Sequence, residues 1–170
     1  MEIDKNVWVP YTHDMMNEDE FKKIKIAYSL FEIIYEFLDI DKKPRYYGTD
    51  VPIFHAEIHM LKAIKENEGI HVAGLANYLR ITKGSISEMT MKLEKKGLIK
   101  KERDTQNQLK IVLKLTPKGE LAHKNHLKAH EEYNQMILEI LKDEHEEKIS
   151  FLNNFLLTLK DKLSDFGEKV

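Results

Sequence analysis

The stretch that decides the fold runs from residue 70 to residue 119 and reads IHVAGLANYLRITKGSISEMTMKLEKKGLIKKERDTQNQLKIVLKLTPKG. Its first half predicts two short helices, over about residues 71–79 and 82–95. Thr82 has the side-chain chemistry of an N-cap for the second helix. Gly97 is the residue type expected just beyond a helix C-terminus. Two helices joined by a short turn are therefore predicted here.

The second half of this stretch predicts a basic β-hairpin. Residues 98–103 and 109–115 have strand-like content and flank the polar turn 104–108. Thr116-Pro117 then begins a further helix, since proline is favoured in a first turn. A basic hairpin directly after a helix pair is typical of a winged helix-turn-helix, in which the second helix enters the major groove of DNA.

The charge of the chain is divided unevenly along its length. Residues 80–118 contain eleven Lys and Arg and four Asp and Glu, a surplus of seven positive charges. Since the whole chain carries −2, the remainder carries −9. A basic segment in an acidic chain is the pattern expected of a phosphate-binding surface. A solvated lysine-rich face is the alternative, and the helix and hairpin order favours DNA.

Composition limits the remaining possibilities. A chain of 170 residues with 42% hydrophobic content can bury one substantial core. It has no cysteine, so disulfides and thiolate metal ligands are excluded. Neither a signal peptide nor a long apolar run is evident, so we expect a cytoplasmic protein without a membrane partner. Only seven Gly and four Pro interrupt the chain, which favours long helices.

Two amphipathic helices are predicted to flank the basic centre. Asn17 with Glu20 forms a potential capping box for a helix over 18–38, and another helix begins near 51, with Pro52 in its first turn. The outer helices carry apolar stripes at alternating spacings of three and four. The stripes are Phe21, Ile24, Tyr28, Phe31, Tyr35 and Leu38, then Ile149, Leu152, Leu156, Leu159, Leu163 and Phe166.

These stripes need a surface to pack on, because the basic centre has its own apolar set. They could pack within one subunit, but a homodimer supplies the surface more simply. The predicted fold is therefore mainly α with a small β-hairpin wing, a winged helix-turn-helix flanked by N- and C-terminal dimerisation helices. The predicted parts are an N-terminal helix and loop (1–50), a DNA-binding domain (51–118) and C-terminal dimerisation helices (119–170).

The chain resembles the MarR family of dimeric winged-helix transcription regulators. The resemblance rests on LANYLRITKGSISEMTMKLEKKGLIKKERD and LKLTPKG, and it extends from about Pro52 to the end of the chain. It implies a homodimer that binds a roughly palindromic DNA operator and is not an enzyme. The expected DNA contacts are Thr82, Lys83, Ser85, Ser87, Thr90 and Lys92 on the second helix, with Arg103 and Lys110 on the wing.

The tip of the wing departs from the family pattern at two positions. The family's wing carries an Asp-X-Arg pair near its tip, whereas Asn107 and Leu109 occupy the matching positions here. Arg103 and Lys110 are the nearest substitutes for the missing arginine.

Histidines following the wing indicate a metal site. His126 and His130 lie four residues apart on a predicted helix, with His123 one turn earlier, and such a pair can present two imidazoles to one cation. Zinc-sensing MarR proteins join such a pair to ligands from the helix that precedes the helix-turn-helix. His59 lies one position from the ligand expected there. Five carboxylates could complete the site, namely Glu36, Asp39, Asp41, Asp50 and Glu57.

The leading interpretation is a repressor or other regulator whose DNA affinity depends on an effector, either Zn(II) or another divalent metal. A small aromatic or apolar ligand near Phe31, Tyr35, Phe54 and Met60 is the alternative effector. The histidines could instead sense pH or have no function. A non-catalytic protein-interaction module is a further class. A hydrolytic enzyme is disfavoured, because no nucleophile and base pair and no phosphate-binding glycine loop is evident.

Overall fold

The computed structural model describes residues 17–104 and 110–167. Within these ranges the chain forms six helices and one two-stranded antiparallel sheet, so the predicted fold class is confirmed. The elements are α1 (Glu18–Lys42), α2 (His55–Glu66), α3 (Val72–Leu79), α4 (Lys83–Lys95), β1 (Ile99–Arg103), β2 (Ile111–Leu115), α5 (Pro117–Leu141) and α6 (Glu146–Gly167). The predicted wing tip, with Asn107 and Leu109, lies outside the described residues.

The helix ends follow the predicted capping residues. The Glu20 amide donates to Asn17 Oδ1 at 2.9 Å, and the Asn17 amide donates to the Glu20 carboxylate at 3.2 Å. The Ser85 amide donates to Thr82 Oγ1 at 3.1 Å. Gly97 has φ +70°, the left-handed conformation that glycine adopts without a steric penalty. These three predictions are confirmed.

The predicted start of α2 is wrong. A helix from residue 51 with Pro52 in its first turn was expected, but α2 begins at His55. The preceding residues are extended, because Ile53 and Arg45 exchange backbone hydrogen bonds of 2.9 and 3.0 Å. Ile53 is 1% exposed, so this bridge both satisfies backbone groups and adds an apolar side chain to the core.

The residue contacts divide the chain into two compact units, and the boundary falls inside α5 after His123. The first unit contains the winged helix and its core. Buried side chains from α2, α3, α4 and the hairpin form this core, among them Ile58, Leu61, Leu75, Ile86, Leu93, Leu98 and Leu113. The second unit, from Lys124, contains the rest of α5 and α6. None of the described helices has the length and apolar character needed to cross a membrane.

The start of α5 is held against β1 by a threonine and a glycine. Thr116 Oγ1 donates to the Gly97 carbonyl at 2.6 Å and accepts from the Gly119 amide at 3.1 Å. A Cβ at Gly119 would collide with the Leu98 carbonyl oxygen and would lie 2.9 Å from Leu115 Cδ2. The glycine of the LTPKG segment is therefore required by packing.

Two helical glycines should respond oppositely to alanine. Gly119→Ala should destabilise the protein by about 1–3 kcal/mol, because backbone atoms must move to admit the methyl group. Gly84→Ala is the matched control: a Cβ there would meet only Thr82 Oγ1 at 3.8 Å, so alanine should stabilise by about 0.5–1 kcal/mol. Urea unfolding at fixed protein concentration measures both, and shifts in the same direction would contradict this account of Gly119.

Candidate nucleic-acid interface and metal site

Helix α4 has one buried side and one exposed side. Ile86, Thr90 and Leu93 are buried. Lys83, Ser85 and Ser87 are exposed, as predicted for residues that face DNA. Their hydroxyl groups already make local bonds: Ser85 Oγ lies 2.8 Å from Thr82 Oγ1, and Ser87 Oγ donates to the Lys83 carbonyl at 2.9 Å. Each hydroxyl oxygen can still accept a further hydrogen bond.

The location of Thr90 argues against its predicted role in DNA contact. It is 1% exposed, and its hydroxyl donates to the Ile86 carbonyl at 2.7 Å. A threonine inside a helix can satisfy its hydroxyl on the preceding turn, so it tolerates a core position. Thr90 therefore stabilises the reader from its buried side and does not belong to the exposed face.

A partly buried ion pair attaches the end of α4 to α2. Lys96 Nζ lies 2.6 and 2.7 Å from the two Glu57 carboxylate oxygens and donates to the Pro52 carbonyl at 2.7 Å. Glu57 also accepts from the Phe54 amide at 2.8 Å, and its side chain is 7% exposed. Sequence reasoning considered Glu57 only as a possible metal ligand and missed this pair, because the partners are 39 residues apart.

The exposed ion pair on α4 is of a different kind. Lys92 Nζ lies 2.7 Å from the Glu88 carboxylate, with both side chains more than half exposed. Their contact lowers the pKa of Glu88 and raises the pKa of Lys92, chiefly through the shared hydrogen bond. Exposed pairs of this type contribute little to stability. Lys92 can therefore exchange its carboxylate for another anion at small cost.

Some cations of the wing are paired with a carboxylate and others are not. Strand pairing places Lys100 directly opposite Lys114, and Glu102 binds both, at 2.5 and 2.8 Å. These hydrogen bonds, to Lys100 first and then to Lys114, lower the pKa of Glu102 to about 2. Arg103 and Lys110, nearer the tip, are exposed and have no acidic partner within the described residues.

Lys83, like Arg103 and Lys110, is an exposed cation. It is exposed at the start of α4, and the described part of the chain offers it no acidic partner. Three of the predicted DNA contacts are therefore cations whose charge is not neutralised by a described carboxylate. They are the residues best suited to bind phosphate.

The predicted helical histidine pair is brought together in the second unit. The Nε2 atoms of His126 and His130 are 3.0 Å apart, and the ring planes are inclined at 76°. Tetrahedral zinc with Zn–N bonds of about 2.0–2.1 Å would hold two nitrogens about 3.3 Å apart. The pair therefore fits a shared divalent cation after a movement of a few tenths of an ångström. His126 is buried and His130 is exposed.

The third predicted ligand, His59, belongs to the first unit. It lies half-buried on α2, with its ring 4.2 Å from that of His55, centroid to centroid. His55 in turn contacts Asp41. Among the other candidate carboxylates, Asp50 binds Lys118 at 2.5 Å. His123 also falls in the first unit, where burial lowers the pKa of its imidazole.

Met60, considered as part of an apolar ligand site, is fully buried in the core. Phe54, from the same predicted site, is 46% exposed. Met60 therefore serves packing of the first unit.

Known proteins share this sequence pattern and fold. Residues 53–110 match the MarR family pattern. YhjH of Bacillus subtilis, an uncharacterised HTH-type transcriptional regulator, is 27% identical over 124 residues, covering 73% of this chain and 71% of YhjH. FabT of Streptococcus pneumoniae, solved in complex with DNA, superposes with a TM-score of 0.62 at 26% identity, covering 85% of this chain and 99% of FabT.

A second structure extends the likeness in fold. ZitR of Lactococcus lactis, a zinc-responsive MarR family member, superposes with a TM-score of 0.67 at 21% identity, covering 83% of this chain and 98% of ZitR. Sequence pattern, relatives and helix order agree. Residues 53–110 thus match the MarR family, a family of transcriptional regulators rather than enzymes, and the relative YhjH is itself an HTH-type transcriptional regulator.

Proposed function

We propose that the protein is a homodimeric repressor that binds a palindromic DNA operator and acts in the cytoplasm. The observation that carries this proposal is the set of exposed cations on α4 and the wing that lack a described acidic partner: Lys83, Arg103 and Lys110. Residues 51–118 would form the DNA-binding domain. Helix α4 would enter the major groove, and the wing would follow the backbone.

The dimer proposal rests on apolar side chains that the chain leaves exposed. Helix α1 has no buried residue, even though it carries large apolar side chains. Ile33 is 65% exposed and Phe37 is 57% exposed. In the second unit, Phe151, Leu163 and Phe166 of α6 are more than half exposed. Large apolar side chains left exposed along a helix mark an interface. A second copy, paired through segments 1–50 and 119–170, would cover it and would set the spacing of two DNA readers.

Removal of the exposed cations of α4 and the wing should weaken DNA binding in a salt-dependent way. Lys83→Ala and Arg103→Ala should each lower affinity for the promoter duplex upstream of the protein's own gene several-fold at fixed salt. Each should also reduce the slope of log K against log salt by about one, because each phosphate contact releases condensed counterions. Fluorescence anisotropy across a salt series measures both quantities.

Lys22→Ala is the matched control, since it removes the same charge from α1, where Lys22 pairs with Glu18 at 2.7 Å. It should leave the slope unchanged. Wild-type affinity in both test variants would show that the interface has been assigned to the wrong face.

Neutralising Glu102 should strengthen DNA binding. Glu102→Gln frees Lys100 and Lys114 to bind phosphate, so affinity should rise several-fold and the salt slope should steepen.

The same carboxylate predicts a pH dependence of stability. Because the pKa of Glu102 in the folded protein, about 2, lies below its ordinary value of 4.5, any stability that this carboxylate adds is present above pH 4.5 and is lost as pH falls towards 2.

Asp19→Asn is the control for this variant, because it removes one carboxylate from a Lys23 pair on α1. An equal rise in affinity in Asp19→Asn and Glu102→Gln would attribute the effect to net charge alone. A fall in affinity in Glu102→Gln would contradict the proposed wing contact.

We further propose a divalent cation, Zn(II) first, as the effector, with His126 and His130 as ligands and His59 as a third. The facing imidazoles support this proposal, as does the zinc response of ZitR. The bound cation would supply a cross-link between side chains. The protein would exist in one arrangement that can bind DNA and another that cannot. If the imidazoles bind the cation more tightly in the first, the cation would shift the equilibrium towards DNA binding and act as a co-repressor.

The histidine pair can be tested directly. In His126→Ala/His130→Ala, added Zn(II) should no longer change DNA affinity relative to chelator, and zinc retained after gel filtration should fall. Duplex binding with chelator should stay at the wild-type level, which separates loss of the sensor from loss of the fold. His145→Ala, which removes a histidine outside the proposed set, is the control and should keep the response. An unaltered zinc response in the double variant would refute the metal proposal.

A further inference from the structure

An exposed methionine occupies the middle of the outward face of α4. Met91 is 59% exposed, and it lies seven residues after Gly84 and four before Lys95. At 100° per residue, Gly84, Glu88, Met91 and Lys95 form one stripe, opposite the buried Ile86, Thr90 and Leu93. This stripe, not the serines beside it, points most directly away from the core.

The chemistry of Met91 is out of place on this surface. Every other side chain on the described outward stripe is charged or absent, whereas Met91 presents a flexible apolar thioether. Since Thr90 and Leu93 already fill the buried side of the helix, Met91 adds nothing to the core. An apolar contact from outside the chain would use it.

Gly84 provides an independent observation on the same stripe. A Cβ at this position would meet only Thr82 Oγ1, at 3.8 Å, so no contact in the described part of the chain requires a glycine. Glycine inside a helix is unfavourable relative to alanine. The absent side chain instead leaves the helix surface bare two turns before Met91, where an external surface could approach the backbone closely.

We propose that Met91 reads the C5-methyl group of a thymine in the major groove, and that Gly84 lets the helix approach the bases closely enough for this contact. The inference rests on the proposed DNA binding and adds a specificity-determining residue to it. The thymine methyl is the apolar group that the major groove displays, and side chains recognise it by apolar contact.

The experiment compares wild type and Met91→Ala on an operator selected by wild type from random duplexes. Each thymine of the selected operator is replaced in turn by deoxyuridine, which lacks only the C5-methyl. Wild type should lose about fourfold in affinity at one position of each half-site, as expected for one methyl-sized apolar contact. Met91→Ala should bind more weakly than wild type and show no loss at that position. Met91→Leu should retain most of the discrimination.

Other outcomes are equally informative. Equal deoxyuridine sensitivity in wild type and Met91→Ala, or no sensitivity in wild type, would overturn the assignment while leaving DNA binding intact. Failure of wild type to select any duplex would overturn the proposed function itself. Thermal melting should be unchanged in Met91→Ala, because the side chain is exposed.

Gly84→Ala supplies the second readout. It should melt at a higher temperature than wild type and bind the selected operator more weakly, a combination that a purely structural glycine would not produce. Wild-type affinity in Gly84→Ala would refute the close approach.

Discussion

The recognition surface depends on the ion pair between Lys96 and Glu57. Lys96 follows the last turn of α4, and Glu57 lies in the first turn of α2, where it also caps the Phe54 amide. Both carboxylate oxygens and the Pro52 carbonyl accept from one ammonium group. The Glu57 side chain is 7% exposed and that of Lys96 22%, so removing the lysine would leave a desolvated carboxylate without its counter-charge, which is destabilising. The C-terminal end of α4 is thereby fixed against α2.

The ion pairs of α4 and the wing differ in how readily the lysine can give up its carboxylate partner. Lys96 cannot exchange Glu57 for a phosphate without leaving a buried carboxylate unpaired, whereas Lys92 and Glu88 are both exposed and Lys92 can exchange its partner at small cost. Glu102 lies between these cases, since it offsets the repulsion of two opposed lysines on the wing. The base of α4 is thus fixed by a neutral ion pair, while the lysines on its exposed face can exchange their carboxylate partners for other anions.

The sequence allowed prediction of features governed by local chemistry. Thr82 and Gly97 were identified because a cap needs only its own turn of helix. The start of α2 was wrong because the bridge between Arg45 and Ile53 is a non-local constraint that propensity does not contain. Thr90 was assigned to the DNA-facing side by the family resemblance, although its hydroxyl is satisfied inside the helix. Met91 was missed because an apolar residue in a helix is expected to be buried.

The histidines show how far the same local reasoning extends for the metal proposal. An i, i+4 spacing brings two imidazoles together on any helix, so the contact of His126 and His130 was predictable, and His123 was expected beside them. His123 is buried, and loss of solvation lowers the pKa of its imidazole. A contact between the Nε2 atoms of His126 and His130 requires one ring to donate and the other to accept. A divalent cation removes that requirement, because both nitrogens then act as electron-pair donors. The donor chemistry of this pair, rather than the number of histidines nearby, is therefore what favours a metal.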